Sequence, residues 1–327
     1  MSRKLFVILL VAVMVLPIAP ATLSAQDDVL TIGFLPGVVD PFYQVMELGV
    51  KAAAEDMGVE VITQIPPTWG VEIQTPILDA MIARGDLDYL IIAPTDKDQM
   101  IGPLEAALDA GIQIITVDTF LGDGDYVNGP VTFPISYIGS DNVEGGRIAA
   151  RGLADAIGGT GKVYINSTNP NVSSVEGRAV GFNEVMANEY PDIEVVGLDF
   201  NLDDPNTATQ QTAAVLAREP DLAGVFGTNV FSAQGAGTAV VNAGLAGEVQ
   251  VVAYDATQFA IELLRQGTVS LVLAQKPFDM GYMAVQFAVA HNAGVTSLPP
   301  RVQTGFAIID INNVDDPEIA RFIYQVP

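Results

Sequence analysis

From Leu30 onward, short runs that are apolar on both faces alternate with longer stretches in which apolar residues return every three or four positions. Runs of the first kind suit strands buried in a parallel sheet, and stretches of the second kind suit amphipathic helices. Strands are predicted at Leu30–Leu35, Val59–Thr63, Tyr89–Ala93 and Ile112–Val117, with helices at Gln44–Met57, Ile73–Arg84 and Met100–Ala110. Gly58 and Gly85 stand just past the first two helices, where a left-handed cap residue ends a helix. This repetition of strand, helix and strand predicts a doubly wound α/β fold.

The rhythm breaks at Gly122–Pro134, a stretch rich in Gly, Asp and Pro that reads as a loop leading to an interdomain crossing. It restarts with a strand at Ser136–Gly139, a helix at Val143–Ile157, a strand at Lys162–Ile165 and a helix at Val175–Glu189. Further strands follow at Ile193–Leu198, Gly224–Phe226, Val249–Ala253 and Ser270–Ala274. The chain is therefore expected to hold two α/β halves of similar size.

Open parallel sheets bind ligands beyond the carboxyl ends of their strands. After the predicted first strand comes Asp40-Pro41-Phe42-Tyr43, a carboxylate and two aromatics at the start of a helix. Trp69 follows the second strand, Pro94-Thr95-Asp96 the third and Asp118 the fourth. In the second half the strand ends carry Asn166–Ser174, Asp199-Phe200-Asn201, Asn229, Tyr254-Asp255 and Gln275. Acidic, amide and aromatic side chains recur at these ends in both halves, which suggests two facing polar lips. Each position also has an ordinary role open to it. Asp118, Asp255 and Asn229 could cap helices, Phe42, Tyr43 and Phe200 could be core, and Arg178 could sit on a helix surface.

Composition narrows the function. The 327 residues carry a net charge of −25, which disfavours both nucleic acid and anionic membrane surfaces. Arg3 and Lys4 precede the apolar stretch Leu5–Ile18, and Leu23-Ser24-Ala25 offers a small-residue cleavage site. A signal peptide over residues 1–25 is expected, with an exported mature chain. The chain has no cysteine, so disulfides, thiolate metal sites, a Cys nucleophile and a lipid-modified cysteine are excluded.

The motifs of metal and catalytic chemistry are incomplete. Gly158–Lys162 lacks the full phosphate-loop spacing and precedes a strand instead of opening a helix. The only histidine, His291, has no second ligand of its kind for zinc and no triad around it. Asp199–Asp203 has alternating oxygen ligands but lacks the glycine and glutamate of a calcium loop at Asp204 and Gln210. No cofactor, no metal and no enzymatic activity are expected.

In order and spacing, the strand-end segments carry a family signature. They are DPFYQ (40–44), APTD (93–96), VDT (117–119), IGSDNVEGGRIAA (138–150), EGRAVGF (176–182), FGTN (226–229), VVAYDAT (251–257) and LAQKPFDMG (273–281). Over almost the whole mature length the chain resembles the periplasmic sugar-binding proteins of ABC transporters, specifically the ribose-binding, type I kind. The resemblance implies two lobes joined by three hinge crossings: residues 26–135 with 276–303, and residues 136–275 with 304–327. It places Phe42 and Tyr43 on one face of a sugar ring and Phe200 on the other. Polar contacts are implied from Asp40, Asp118, Arg178, Asn229, Asp255 and Gln275, with Trp69 and Thr119 as secondary candidates. A sugar ring has apolar C–H faces for aromatic rings, and hydroxyls that both donate to carboxylates and accept from Arg and Asn.

Departures from the ribose pattern shape the ligand expectation. Asp40 stands where Asn is usual, Ala93 where Asn is, and Thr119 where Arg is; Pro36 and Val230 also depart from it. With two donors missing, a neutral sugar or sugar-like polyol other than ribose is expected. The implied role is a periplasmic monomer that delivers its solute to an inner-membrane permease, with a sensor that reports its closed form to a receptor as the alternative. A ligand-responsive transcription regulator of the same core fold would need a basic DNA-binding segment where this chain has an export signal.

Overall fold

The computed structural model describes residues 29–326, so the expected export segment, residues 1–25, lies outside the described residues. In chain order the elements are β1 (Thr31–Leu35), α1 (Pro41–Met57), β2 (Glu60–Thr63), α2 (Val71–Ala83), β3 (Tyr89–Ile92), α3 (Ile101–Asp109), β4 (Gln113–Val117) and β5 (Tyr137–Gly139). Then come α4 (Asn142–Ala156), β6 (Gly161–Ser167), α5 (Ser173–Glu189), β7 (Ile193–Phe200), α6 (Pro205–Arg218), β8 (Leu222–Gly227) and α7 (Val230–Asn242). The chain closes with β9 (Gln250–Tyr254), α8 (Gln258–Arg265), β10 (Val269–Ala274), α9 (Pro277–Asn292), β11 (Arg301–Gln303), β12 (Ala307–Ile309) and α10 (Pro317–Ala320).

Two six-stranded sheets result, ordered β2-β1-β3-β4-β5-β11 and β7-β6-β8-β9-β10-β12. The same winding is used twice. In each sheet the first strand of the lobe lies between the second and the third, which creates a switch point where a ligand crevice can form. All pairings are parallel except β10 with β12, which runs antiparallel. The central strands are buried on both faces: all four residues of β3 are inaccessible or nearly so, as are Ile114, Ile115 and Val117 of β4. That double burial is why these strands read as unbroken apolar runs.

Local chemistry fixes where the elements begin. Asp40 caps α1, its side chain accepting from the Tyr43 backbone N–H at 2.7 Å, and Pro41 occupies the first turn, where its missing N–H costs nothing. The helix starts three residues earlier than its apolar spacing suggests and ends, as expected, at Gly58 with φ +67°.

Three crossings join the lobes: between β5 and α4, between β10 and α9, and between β11 and β12. After the second crossing the chain returns to the first lobe, where α9 packs along α1. The expected division at residue 136 requires correction. The strand at Tyr137–Gly139 pairs with β4 and β11 in the first sheet, so the crossing follows Gly139. The missing cue is a helix: the chain reaches β5 from β4 through the irregular stretch 118–136. Among the described residues no helix is long and apolar enough to cross a membrane.

Candidate functional site

The strand ends of the two sheets face each other across a narrow cleft that is partly open to solvent. The first lobe contributes Val38, Asp40, Phe42, Tyr43, Trp69 and Asp118; the second contributes Thr168, Val172, Ser174, Val175, Arg178, Asp203, Asn229 and Asp255; Gln275 lies on a crossing.

The first-lobe wall is aromatic. Phe42 and Tyr43 pack edge to face with centroids 5.0 Å apart, and Trp69 lies 6.4 Å from Tyr43 at a 30° tilt. Trp69 is held by its indole N–H, which donates to the Thr95 carbonyl at 3.0 Å, and its ring sits directly over Gly37. A Cβ at position 37 would lie 2.1 Å from that ring, so only glycine fits. Beneath these loops the fully buried Gln74 donates to the carbonyls of Pro36 and Ala93 and accepts from the Thr95 N–H and hydroxyl. One side chain thereby ties together the loops that follow β1 and β3.

The polar groups come from both lobes. Arg178 of α5 is 2% exposed; its Nε donates to Asn142 Oδ1 and its Nη1 to the Thr228 carbonyl, both at 2.8 Å. Its guanidinium stacks 3.8 Å over the Tyr254 ring and reaches across the cleft to Asp118 at 3.9 Å. Asp118 Oδ2 accepts from the Tyr43 hydroxyl at 2.7 Å. Asp255 Oδ1 accepts from Gln275 Nε2 and from the Tyr324 hydroxyl, each at 2.9 Å. Asn229 caps α7 with its side-chain oxygen, while its Nδ2 donates to Asp203 Oδ1 at 2.7 Å. The other Asp203 oxygen, Oδ2, is shut off from solvent and has no hydrogen-bond partner.

Four carboxylates against one guanidinium make the cleft strongly electronegative. Burial pushes Asp118 up to about 6, against the Arg178 charge and the Tyr43 hydroxyl, which pull it down. Burial likewise pushes Asp203 up to about 6, opposed by the Asn229 amide. Asp40 is raised well above the usual carboxylate range by burial, with Asp203, Asp255 and Asp118 adding to the rise. Asp255 is raised by burial despite Arg178, Gln275 and Tyr324. Burial works against the Arg178 charge, but Tyr254, Asp255 and Asp118 more than offset it. Asp118 and Asp255 both hold left-handed backbone, at φ +58° and +76°, a strained geometry that concentrates at functional sites.

The lobes are closed on each other. Along one lip the Lys97 N–H donates to the Asn171 carbonyl at 3.0 Å, the Phe120 N–H donates to Ser173 Oγ at 2.8 Å, and Lys97 pairs with Glu176. At the crossings Ser140 Oγ donates to Gln275 Oε1 at 2.8 Å, and the Gln275 N–H donates to the Tyr324 hydroxyl. Tyr324, near the C-terminus, is thus buried between hinge and cleft.

The structure brings Asp40, Phe42, Tyr43, Trp69, Asp118, Arg178, Asn229, Asp255 and Gln275 around one cavity. Thr119 is buried behind it, its hydroxyl donating to the Pro94 carbonyl at 2.8 Å. Phe200 requires correction. It ends β7, an edge strand, stands 41% exposed and does not line the cleft. Two consecutive left-handed residues, Leu202 (φ +58°) and Asp203 (φ +59°), turn the chain so that Asp203 enters instead. Asp203, Gln74 and Tyr324 were not among the expected ligand contacts; Asp203 was read from sequence only as the end of the incomplete calcium-loop pattern Asp199–Asp203.

Comparisons with known proteins agree with this geometry. A model of the periplasmic binding protein domain matches residues 32–295. The chain is 26% identical to a ribose import binding protein of Bacillus subtilis, over 81% of this chain and 82% of that one. It is 27% identical to a D-ribose/D-allose-binding protein of Pseudomonas aeruginosa, over 80% and 82%. An ABC transporter solute-binding protein of Agrobacterium vitis, solved with α-D-tagatopyranose, superposes with a TM-score of 0.88 at 47% identity, covering 90% of this chain and 99% of that one. A carbohydrate-transporter solute-binding protein of Agrobacterium radiobacter, solved with D-arabinose, gives 0.83 at 27% identity, over 90% and 99%. With two matching lobes, a cleft at their strand ends and a family match across most of its length, the chain belongs to the periplasmic binding protein family.

Proposed function

We propose that the protein is the solute-binding component of an ABC importer, capturing a neutral monosaccharide in its ring form and presenting it to a permease. The observation that carries this reading is the composition of one closed cleft: an aromatic wall of Phe42, Tyr43 and Trp69, facing carboxylates whose hydrogen bonds to the protein hold Oδ1 of Asp40, Asp203 and Asp255 and Oδ2 of Asp118. Aromatic rings cover the C–H face of a sugar, and the remaining carboxylate oxygens accept its hydroxyls. Asp40, Phe42, Tyr43, Asp118, Arg178, Asn229, Asp255 and Gln275 are the proposed contacts, with Trp69 closing the wall. An anionic ligand would meet four acidic groups and one cation.

The Agrobacterium vitis relative holds a tagatopyranose, so ketohexoses head the ligand series for this chain, ahead of ribose. Residues 1–25 are proposed to direct export and to be removed, leaving a monomer free in the periplasm. No catalytic step is proposed.

Thermal denaturation with D-tagatose, D-arabinose, D-allose and D-ribose tests this reading. A ligand bound only by the native state raises the melting temperature as its concentration exceeds Kd. A rise with at least one neutral monosaccharide is expected. If only amino acids or organic anions raise it, the sugar assignment fails.

A further inference from the structure

Among the described residues, the second-lobe side of the cleft is lined by no aromatic ring. It meets a ligand with Asp203, Asn229, Arg178, Asp255 and the hydroxyl-bearing loop Thr168–Ser174. Among these, Asp203 is singular. Asn229 fixes its Oδ1, while Oδ2 is buried without a partner at the cavity wall. The side chain arrives there through a two-residue left-handed turn that costs conformational energy, and α6 begins directly behind it, capped by Asp204. Asp203 faces the first lobe across the cleft, and its charge helps raise the pKa of Asp40 and of Tyr43, which burial raises most.

We infer that Asp203 is a specificity-determining residue that accepts, through Oδ2, a hydroxyl standing out of the plane of the sugar ring. The inference rests on the sugar-binding reading above. With the aromatic wall against one C–H face, a ring whose hydroxyls are all equatorial turns a second apolar face toward Asp203 and leaves Oδ2 unpaired. A ring with an axial hydroxyl on that side satisfies it. A buried charged group left unpaired costs more than a lost neutral hydrogen bond, which makes discrimination between epimers steep.

Isothermal titration of the full chain with matched sugars tests this. D-mannose, D-allose and D-galactose each make axial one hydroxyl that D-glucose holds equatorial. D-tagatose and D-sorbose, which are epimers at C3, provide the same contrast among ketohexopyranoses. Wild type is expected to bind an axial member about tenfold or more tighter than the equatorial reference of its series. Asp203→Gly deletes the carboxylate at a backbone geometry that glycine accepts readily, so its ligand-free melting temperature is expected to stay at or above that of wild type. Its gap between epimers is expected to fall below about threefold. Asp203→Asn, which keeps a polar group and tolerates left-handed backbone, is expected to retain more of the gap than Asp203→Gly.

Equal epimer ratios in wild type and Asp203→Gly overturn the inference while leaving sugar binding intact. So does a wild type that binds glucose as tightly as its epimers and sorbose as tightly as tagatose. Absence of binding to every sugar overturns the underlying reading instead.

Discussion

At the scale of single residues, the cleft is dominated by acids held where water is scarce. A carboxylate with a raised pKa keeps its proton more readily when folded than when unfolded, so its contribution to stability is present at low pH and is lost as pH rises through the folded value. Asp118 and Asp203, both at about 6, therefore stabilise the ligand-free protein progressively as pH falls from 7 toward 4. The surface acids with lowered pKa, such as Glu189 and Asp204, act with the opposite sign but below the ordinary carboxylate range. The ligand-free melting temperature is expected to rise by a few degrees between pH 7 and pH 5, and to rise less in Asp203→Asn, as calorimetry at matched salt will show. Arg178 has a double role, since it pairs with ligand-facing acids and also bonds Asn142 and the Thr228 carbonyl. Arg178→Ala is expected to lose sugar binding and also about 3–5 kcal/mol of stability in urea denaturation, because it strands buried charge. Most of these side chains were legible in the sequence because they follow apolar strands directly. Asp203 was not: nothing in Asn201-Leu202-Asp203 announces two left-handed residues, and the neighbouring Phe200 offered an aromatic where a sugar face wanted one.

At the scale of elements, the sequence was most readable where burial is complete. Strands covered on both faces are apolar runs, and helices that cover them have a periodic stripe, so β1 to β4 and α1 to α5 lie within a few residues of their predicted bounds. Where partners are distant in sequence, the sheet a strand joins was not legible. β5 was expected as a strand but in the other lobe, and Tyr137-Ile138-Gly139 does not say that it pairs with β4 and β11; β11, Arg301-Val302-Gln303, is a strand only because it pairs with β5. Gln74 is a further case, a polar residue in a helix whose purpose is visible only once the loops after β1 and β3 come together around it. Gln74→Leu would leave the Thr95 N–H and two loop carbonyls without their side-chain partner. A loss of about 3 kcal/mol or more is expected in chemical denaturation, at about 1–3 kcal/mol per unsatisfied buried group. Ligand affinity should fall with it, because the Thr95 carbonyl also holds Trp69.

At the scale of the whole molecule, two copies of one winding face each other, and the solute capture proposed above requires that these lobes open and close. The closed form seen here is held at the lip by Lys97 with Asn171 and Glu176, and by Phe120 with Ser173. These contacts exist only when the lobes meet, and two-state closure responds to any group that bonds one state alone. Glu176→Ala is expected to leave each lobe folded but to shift the ligand-free population toward the open form. It should increase the radius of gyration in solution scattering and speed sugar release in stopped-flow displacement. Trp69 adds a consequence of a different kind. It is the only tryptophan in the chain, it stands in the cleft wall, and its indole N–H is tied to a loop of the first lobe. Excitation at the red edge of the ultraviolet band, beyond the absorption of the nine tyrosines, therefore draws emission from a single point in the cleft wall. Unlabelled protein in a cuvette should report loading and unloading of its cargo as a change in one fluorophore, free of background from any other indole.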